Sequence, residues 1–586
     1  MGLGGGIMMK AFAAKALVIK INVAFLSFFV LAYILFFVLQ PSSLYDQNAT
    51  AIIRCSLRDC HVKKVEGAAV MQMKAVRENR TAMETVPSFL KSLHGGTKLA
   101  LVNIGESEVF DWGLVGRTTT VDFERVSRNF KWEDLFPEWI DEEEENEGPS
   151  CPEIPMPDLS SPSSRGEVDV VVAKLPCERN TSSAWTRDVF RLQVHLVAAH
   201  VAARRGRRDG RGAVKVLLRS ACRPMMELFR CDDVVAREGE WWMYEVEAWR
   251  LEEKVALPVG SCNLALPLWE KGTDVVYDVT KLGGPASPGR GGREAYATVL
   301  HSSDTYVCGA IALAQSIARS GSTRDLVLLH DKSIPREKLR ALEAAGWRLR
   351  EIERIRNPRA QKGSYNEYNY SKLRLWQLTD YRKVVFIDAD ILVLRSLDLL
   401  FRFPQVSAAG NDGVIFNSGV MVIEPSDCTF AALMARRGDV VSYNGGDQGF
   451  LNDVFVWWHR LPRRVNFLKN FWSNTTAEAS MKNHLLGADP PELYSIHYLG
   501  IKPWMCYREY DCNWNVGDQR VYASDAAHRT WWKLHDEMEG KLQSFCALVA
   551  MRKEQLEEER KQAEMLGYGD GHWRLKTTDW SRNVTN

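Results

Sequence analysis

Apolar and polar positions alternate with a different rhythm in successive stretches of the chain. Residues 21–39 form a 19-residue run without a charge, close to the roughly 20 apolar residues that cross a bilayer core. Residues 40–165 show weak patterning and read as a stem. The acidic run 141–145 within it reads as solvated surface, and the Pro- and Ser-rich stretch 149–164 has the composition of a linker. Apolar patterning returns over 166–282, with a strand expected at 168–173 and an amphipathic helix at 185–203. The Gly- and Pro-rich segment 283–292 marks a boundary. From residue 294 the period switches back and forth. Strands are expected at 295–301, 325–330, 347–352 and 383–387, and helices at 307–319, 335–345 and 371–378. Such alternation implies a mostly parallel twisted α/β sheet covered on both faces, with ligands bound beyond the carboxyl ends of its strands. Residues 537–565 read as a polar helix, solvated or bound to a partner, and carry no assigned chemistry.

The ends of the 21–39 run set an orientation. Lys10, Lys15 and Lys20 precede it and the first basic residue after it is Arg54. The positive-inside rule then keeps residues 1–20 cytosolic and sends the rest across the membrane. A cleaved signal peptide is the rival reading, but its apolar core is shorter, about 7–15 residues, and ends in a small-residue site. Here Phe37-Val38-Leu39-Gln40-Pro41 follows instead. Six Asn-X-Ser/Thr sequons, at Asn48, Asn79, Asn180, Asn369, Asn474 and Asn583, agree with a lumenal location. So do twelve cysteines, all after the run. Cys55/Cys60 and Cys506/Cys512 are near enough in sequence to bridge, and no pair has Cys-X-X-Cys zinc spacing. The 586 residues suggest two to four units, and a net charge of +1 gives no global field for nucleic acid. The five arginines of 204–211 read as an exposed loop, with a basic patch for an acidic polymer as the alternative.

The chemistry concentrates at Val384-Val385-Phe386-Ile387-Asp388-Ala389-Asp390. In extended chain, positions i and i+2 point to one side. Both carboxylates at the end of this buried strand can therefore face one hard cation, Mn²⁺ or Mg²⁺, able to bridge a diphosphate and neutralise it as it departs. Without a cation, two carboxylates side by side resist joint ionisation. Three further segments add to this. Phe416-Asn417-Ser418-Gly419 puts small polar residues at a strand mouth. Asn444-Gly445-Gly446-Asp447-Gln448-Gly449 is a Gly-rich turn with one carboxylate and one carboxamide. His497-Tyr498-Leu499-Gly500-Ile501-Lys502 supplies an imidazole and a cation. Histidine can complete the coordination and lysine can hold a phosphate.

Together, YSKLRLWQLTDY, FIDADILVL, FNSGVMVIEP, NGGDQGFLN and HYLGIKPW resemble glycosyltransferase family 8, which includes glycogenin. Within it, the chain is similar to the plant glucuronosyltransferases that decorate xylan, the glycogenin-like starch-initiation group. The resemblance covers 293–535 strongly and 166–282 less diagnostically. It implies a GT-A nucleotide-sugar-binding fold over 293–535, an additional lumenal α/β region over 166–282, a helical tail over 536–586, a UDP-sugar donor, Mn²⁺ and retention of anomeric configuration. By motif, Asp388, Asp390 and His497 would bind the metal, and Ala389 would touch the nucleotide through its backbone. Leu300, Ser302, Ser303 and Tyr306 match the uridine-contacting stretch, with Ser303 where glycogenin-like members often carry Asn. Lys372 would sit on donor phosphate or sugar, and Asn417, Ser418 and Gly419 would line the sugar site. Asn444, Gly445, Gly446, Asp447 and Gln448 would hold the transferred sugar, Asn444 replacing the aspartate of glycogenin. Gly500 and Lys502 would grip the diphosphate, in a segment one residue shorter than glycogenin's that also brings Tyr498, Leu499 and Ile501 to the site. Asp447, the motif carboxylate free of the metal, is the candidate nucleophile, and front-face attack by the acceptor stays open.

The implied protein is a single-pass type II Golgi membrane enzyme transferring glucuronic acid from UDP-glucuronate to xylan, with room for a complex with other Golgi polysaccharide synthases. Arg374 is a candidate partner for the uronate carboxylate. Galacturonosyl, galactosyl or glucosyl transfer, and a non-catalytic polysaccharide-binding scaffold, are the alternatives. A self-glucosylating primer fits a membrane anchor poorly.

Overall fold

The computed structural model describes residues 87, 89–90, 96–136, 152–159, 166–177, 186–262, 292–412, 414–471 and 476–578. The expected cytosolic tail and membrane run, Cys55/Cys60, the acidic run 141–145, most of the Gly-rich segment 283–292, and the sequons at Asn48, Asn79, Asn180, Asn474 and Asn583 lie outside them. Among the described residues no helix is long and apolar enough to cross a membrane.

Two main sheets lie within one compact unit, residues 82–586. The first holds β1 (Lys98–Val102), β2 (Arg117–Val121), β3 (Val170–Lys174), β4 (Ala213–Arg219), β5 (Val234–Glu238) and β6 (Trp241–Glu247). Their order is β2-β1-β3-β4-β6-β5, parallel from β2 to β4 and antiparallel beyond. The stem expected over 40–165 is therefore corrected: β1 pairs with β3, and β2 pairs with β1 at the edge of the same sheet. Each strand is only five residues long, and Arg117-Thr-Thr-Thr at the edge exposes polar side chains, so local patterning did not announce them.

Helix α1 (Val189–Arg205) packs on this sheet, its N-terminus capped by Asp188, which accepts from the Arg191 amide at 2.6 Å. The sequence predicts an amphipathic helix, but α1 is buried nearly all round. Gln193 is satisfied by the Val126 amide and by the Glu124 and Pro155 carbonyls. His195 accepts from the Met225 amide at 3.1 Å. Loops, rather than water, meet its polar positions. The arginines of 204–211 are likewise engaged, Arg207 with Asp169 at 2.7 Å, Arg211 with Glu245 at 3.2 Å and Arg208 with Glu252.

The second sheet contains β7 (Glu294–Leu300), β8 (Asp325–His330), β9 (Arg348–Glu351) and β10 (Lys383–Ile387). After the short β11 (Ile391–Val393) come β12 (Ser407–Asp412), β13 (Ile415–Ile423) and β14 (His459–Leu461). The order is β14-β12-β13-β10-β7-β8-β9, parallel from β10 to β9, with β13 antiparallel to β10. All five residues of β10 are buried, as a central strand covered on both faces requires. Helix α2 (Val307–Arg319) covers one face. The expected helix at 371–378 is a 3₁₀ helix, Asn369–Gln377. A small third sheet pairs β11 with β15 (Phe467–Leu468) and β16 (Ser495–His497), in the order β11-β16-β15.

The two main sheets share a core. Phe136 packs against Trp458 at 5.9 Å, the Glu227 carboxylate accepts from the Val456 and Trp457 amides, and a Cys231–Cys428 disulfide ties them. Further disulfides join Cys177–Cys222, Cys308–Cys546 and the expected Cys506–Cys512.

The reading of 537–565 as one solvated helix is also corrected. The chain breaks into α3 (Asp525–Glu537), Gly540–Gln543 and α4 (Ala550–Met565). Leu556 of α4 is buried against Tyr507, Tyr510 and the Cys506–Cys512 bridge. A few buried positions in a run of charges, Arg552, Leu556 and Ala563, suffice, because the complementary surface comes from elsewhere. The following segment docks through His572, which faces Asp525 at 2.8 Å and Asp570 at 2.7 Å and stacks on Trp514 at 4.8 Å. Burial opposes its protonation, but the two carboxylates outweigh burial and raise its pKa above 6.5. A folded-state pKa raised in this way contributes stability that is complete below pH ~6.5 and lost as pH rises through the raised value. Hydrogen exchange over 566–578 should therefore quicken between pH 6 and pH 9, and His572→Gln should flatten that dependence. Unchanged protection in the native protein would refute the assignment.

Candidate active site

The site forms where β10 ends. The Asp388 amide still donates to the Gly419 carbonyl at 2.8 Å, extending the β10–β13 ladder by one residue. The chain then turns, with the Ile391 amide donating to the Asp388 carbonyl at 3.1 Å, and β11 leaves the main sheet to pair with β16. In that pairing Ile391 lies opposite His497, and the Tyr498 amide donates to the Asp390 carbonyl at 3.0 Å. Backbone register thus carries an imidazole from more than a hundred residues away to the two aspartates.

Ligand atoms of Asp388, Asp390 and His497 all lie within 4.8 Å of one another. Lys502 donates to Asp390 at 2.7 Å and to the Tyr498 carbonyl at 2.6 Å. Lys372 reaches Asp447 at 2.7 Å and Asp388 at 3.3 Å. Ser418 donates its hydroxyl to Asp447 at 3.0 Å, and its amide donates to Gln448 at 3.1 Å. Three carboxylates (388, 390, 447) stand against two ammonium groups (372, 502), a formal −1 before the imidazole is counted. Burial pushes the Asp388 pKa up, Lys372 opposes this and Asp390 adds to it, and the result is about 6. Burial acts upward on Asp390 too, but Lys502 and His497 outweigh it and hold that carboxyl far below the usual range. Lys372 is buried, which lowers its pKa, yet Asp388 and Asp447 raise it above the ordinary lysine value. Two oxygen ligands, one nitrogen ligand and a deficit of positive charge fit a divalent cation.

Gly419 makes room for the imidazole. A Cβ there would stand 2.6 Å from His497 Cε1 and 2.8 Å from Nδ1. Gly309 does the same for the aspartate turn, since its Cβ would lie 2.2 Å from the Ala389 carbonyl oxygen.

Other motif residues divide between the cleft and its support. Leu300 is core, Tyr498 is core with its hydroxyl on the Ala527 carbonyl, and Tyr306 packs edge-on to Trp504 at 6.0 Å. Ser302 and Ser303 are exposed on the loop after β7, where Ser302 takes φ 67°. Asn444 spends its side-chain oxygen on the Gly446 and Gly449 amides, at 3.0 and 3.2 Å, and on the Ser442 hydroxyl. It shapes the Gly445-Gly446 turn and thereby presents Asp447 at the start of a helix, Asp447–Val454. Gln448 donates to the Tyr443 hydroxyl at 2.5 Å. Segment 499–502 is clamped by Asn513, which accepts from the Ile501 amide at 2.8 Å and donates to its carbonyl at 2.9 Å. Arg374 is corrected: its guanidinium meets the Glu353 carbonyl and Gln377 and lies over Phe430, on the outside of the 3₁₀ helix rather than in the cleft.

Sequence reasoning missed Asn513, Asn466, Asp331 and His301. Asp331 is buried at the end of β8 and accepts from the Ser302 amide at 3.3 Å. His301 sits next to Ser302, within the field of Asp447 and Lys372, and burial lowers its pKa. None of the four lies in a pattern that signals chemistry on its own.

The Asn369 sequon is built into the site. Its amide nitrogen is 3.3 Å from Asn366 Oδ1 and 2.8 Å from where a Gly446 Cβ would stand, and its oxygen is buried. Asn369 should remain unglycosylated, and glycopeptide mass spectrometry finding it occupied would contradict this placement.

A mostly parallel sheet with a carboxylate pair, an imidazole and two lysines at its carboxyl edge is the arrangement of a metal-assisted nucleotide-sugar transferase. Residues 297–506 match the glycosyl transferase family 8 model, and residues 71–262 match that of the GUX1-5 N-terminal domain. The chain is 55% identical over 586 residues to UDP-glucuronate:xylan alpha-glucuronosyltransferase 2 of Arabidopsis thaliana, covering 97% of each chain. It is 48% identical over 508 residues to UDP-glucuronate:xylan alpha-glucuronosyltransferase 1 of the same organism, covering 85% of this chain and 74% of that one. Glycogenin-1 of Caenorhabditis elegans is 34% identical over 223 residues, 36% of this chain and 51% of that one. The chain belongs to glycosyltransferase family 8 and is a glycosyltransferase with a GT-A-like mixed α/β fold.

Proposed function

We propose that the protein transfers glucuronic acid from UDP-glucuronate onto the xylan backbone with retention of configuration, using Mn²⁺, with Mg²⁺ as the alternative ion. The observation that carries this reading is the convergence of Asp388, Asp390 and His497 between Lys372 and Lys502. The relatives named above act on UDP-glucuronate and xylan by their own names, which supports the choice of donor and acceptor. When bound, the cation supplies charge neutralisation for the departing diphosphate. Lys502, already seated at the cluster, takes up negative charge on the phosphates, and Lys372 lies between that position and Asp447. Electrostatic preorganisation of this kind costs no reorganisation as the bond breaks. Asp447, held by Lys372 and the Ser418 hydroxyl, presents a carboxylate to the anomeric carbon as positive charge develops there.

The reading extends to a single-pass type II protein of the Golgi membrane with its catalytic unit in the lumen. The uncharged run 21–39 behind Lys10, Lys15 and Lys20 supports it, as do four disulfides in the described residues. The test is a donor panel with a xylo-oligosaccharide acceptor, with and without Mn²⁺. Transfer from UDP-glucuronate that disappears on chelation is expected. Transfer from UDP-glucose or UDP-galactose in its place would overturn the donor and leave the family standing.

A further inference from the structure

Asn466 belongs to none of the motifs. It follows β14 in a tight turn and is 2% exposed. We propose that Asn466 is a positioning residue that holds a ring proton of His497 on Nδ1 and so presents Nε2 as the nitrogen that faces the cation site. The inference rests on the reading that Asp388, Asp390 and His497 hold a divalent ion.

The assignment propagates from a group whose role is fixed. The Gly419 backbone N–H can only donate, and it meets one side-chain atom of Asn417 at 2.8 Å, so that atom is the oxygen. The Asn417 nitrogen then faces outward and donates to Asn411 Oδ1 at 3.1 Å. One side-chain atom of Asn466 lies 2.9 Å from the same Asn417 oxygen, so it must be the donor, Nδ2. The other atom of Asn466 is therefore Oδ1, and it lies 3.1 Å from His497 Nδ1. An oxygen at that distance in a buried site requires a proton on Nδ1. Nε2, 3.4 Å from Asp390 Oδ1, is then the ring nitrogen that faces the cluster and the one left to ligate a cation. Asn417 accordingly acts as a relay in this chain of carboxamides.

The experiment measures Mn²⁺ affinity by electron paramagnetic resonance in the presence of UDP, alongside Tm, for the native protein, Asn466→Leu and Asn466→Asp. Leucine removes the acceptor for Nδ1, and Mn²⁺ binding should weaken about 10- to 100-fold, the usual cost of losing such an outer partner. Aspartate keeps an oxygen toward Nδ1 while losing the donor to Asn417. It should lower Tm yet restore Mn²⁺ affinity to within about threefold of native. A merely structural Asn466 predicts instead that both variants lose affinity in step with Tm, and that result overturns the proposal. So does native-like affinity in Asn466→Leu. ¹⁵N spectra of the metal-free native protein, with His497 assigned by its loss in His497→Gln, need no folded Asn466 variant. They should show Nδ1 protonated, and an unprotonated Nδ1 refutes the proposal. A native protein that fails to bind Mn²⁺ at all overturns the cation reading itself, which separates that failure from a failure of Asn466.

Discussion

Asp447→Asn should cut glycosyl transfer by about 10³-fold, within the 10²–10⁴ typical of a positioned acid or base group, while UDP and Mn²⁺ binding stay close to native. The substitution keeps the shape of the side chain and an oxygen for the Ser418 hydroxyl, now 3.0 Å away. Lys372 retains Asp388 at 3.3 Å as its counter-ion, and none of the three cation-binding side chains is touched. What disappears is the negative charge that faces the anomeric centre as UDP departs. That loss falls on the transition state and not on the ground state, so kcat drops and donor affinity does not. Asp447→Ala with azide distinguishes two roles. Attack by azide on the face vacated by the side chain, giving a β-glycosyl azide with release of UDP, marks Asp447 as nucleophile. Failure of azide to rescue, in a variant that still binds donor, leaves it as an electrostatic group beside front-face attack. Near-native turnover in Asp447→Asn refutes both.

Gly419→Ala is the second large effect, and it acts by space alone. The added methyl would meet His497 Cε1 at 2.6 Å, Asn417 Oδ1 at 2.8 Å and His497 Nδ1 at 2.8 Å. Neither partner can yield freely. Asn417 is held by the Gly419 amide and Asn466, and His497 by Asn466 within a paired strand. Overpacking of this kind costs about 1–3 kcal/mol, and the strain is relieved by swinging the imidazole away from the aspartates. Mn²⁺ affinity should therefore fall about 10- to 100-fold, since ~1.4 kcal/mol is tenfold. Activity should follow the affinity and return in part at high Mn²⁺. A variant with native Mn²⁺ affinity would show that His497 is not a ligand.

The parallel part of the catalytic sheet was legible in the chain because β7, β8 and β10 are short, largely apolar runs followed by polar punctuation. The 307–319 helix and the strands at 325–330 and 383–387 have the predicted bounds. Strands β1 and β2 were illegible for the opposite reason. An edge strand reading Arg-Thr-Thr-Thr-Val carries no alternation that separates it from a loop, and only pairing with β1 makes it a strand. The tail failed in the same way, because its buried positions, Leu556 among them, have a partner surface that the local sequence does not contain. Arg374 failed by direction. It lies two residues from Lys372, but the 3₁₀ helix turns it outward onto Phe430.

The sequence by itself determined the inventory of the reaction: two carboxylates two residues apart at the end of a buried strand, a third carboxylate on a glycine-rich turn, an imidazole, and two lysines. Those identities depend on local chain chemistry and period. Tertiary structure alone decided their use. The exit of β11 from the main sheet brings His497 onto Asp390, Gly419 leaves the volume it occupies, and Asn466 holds the ring with Nε2 toward the aspartates. Register, volume and the direction of a hydrogen bond are relations between distant segments, and no stretch of sequence contains both ends of them.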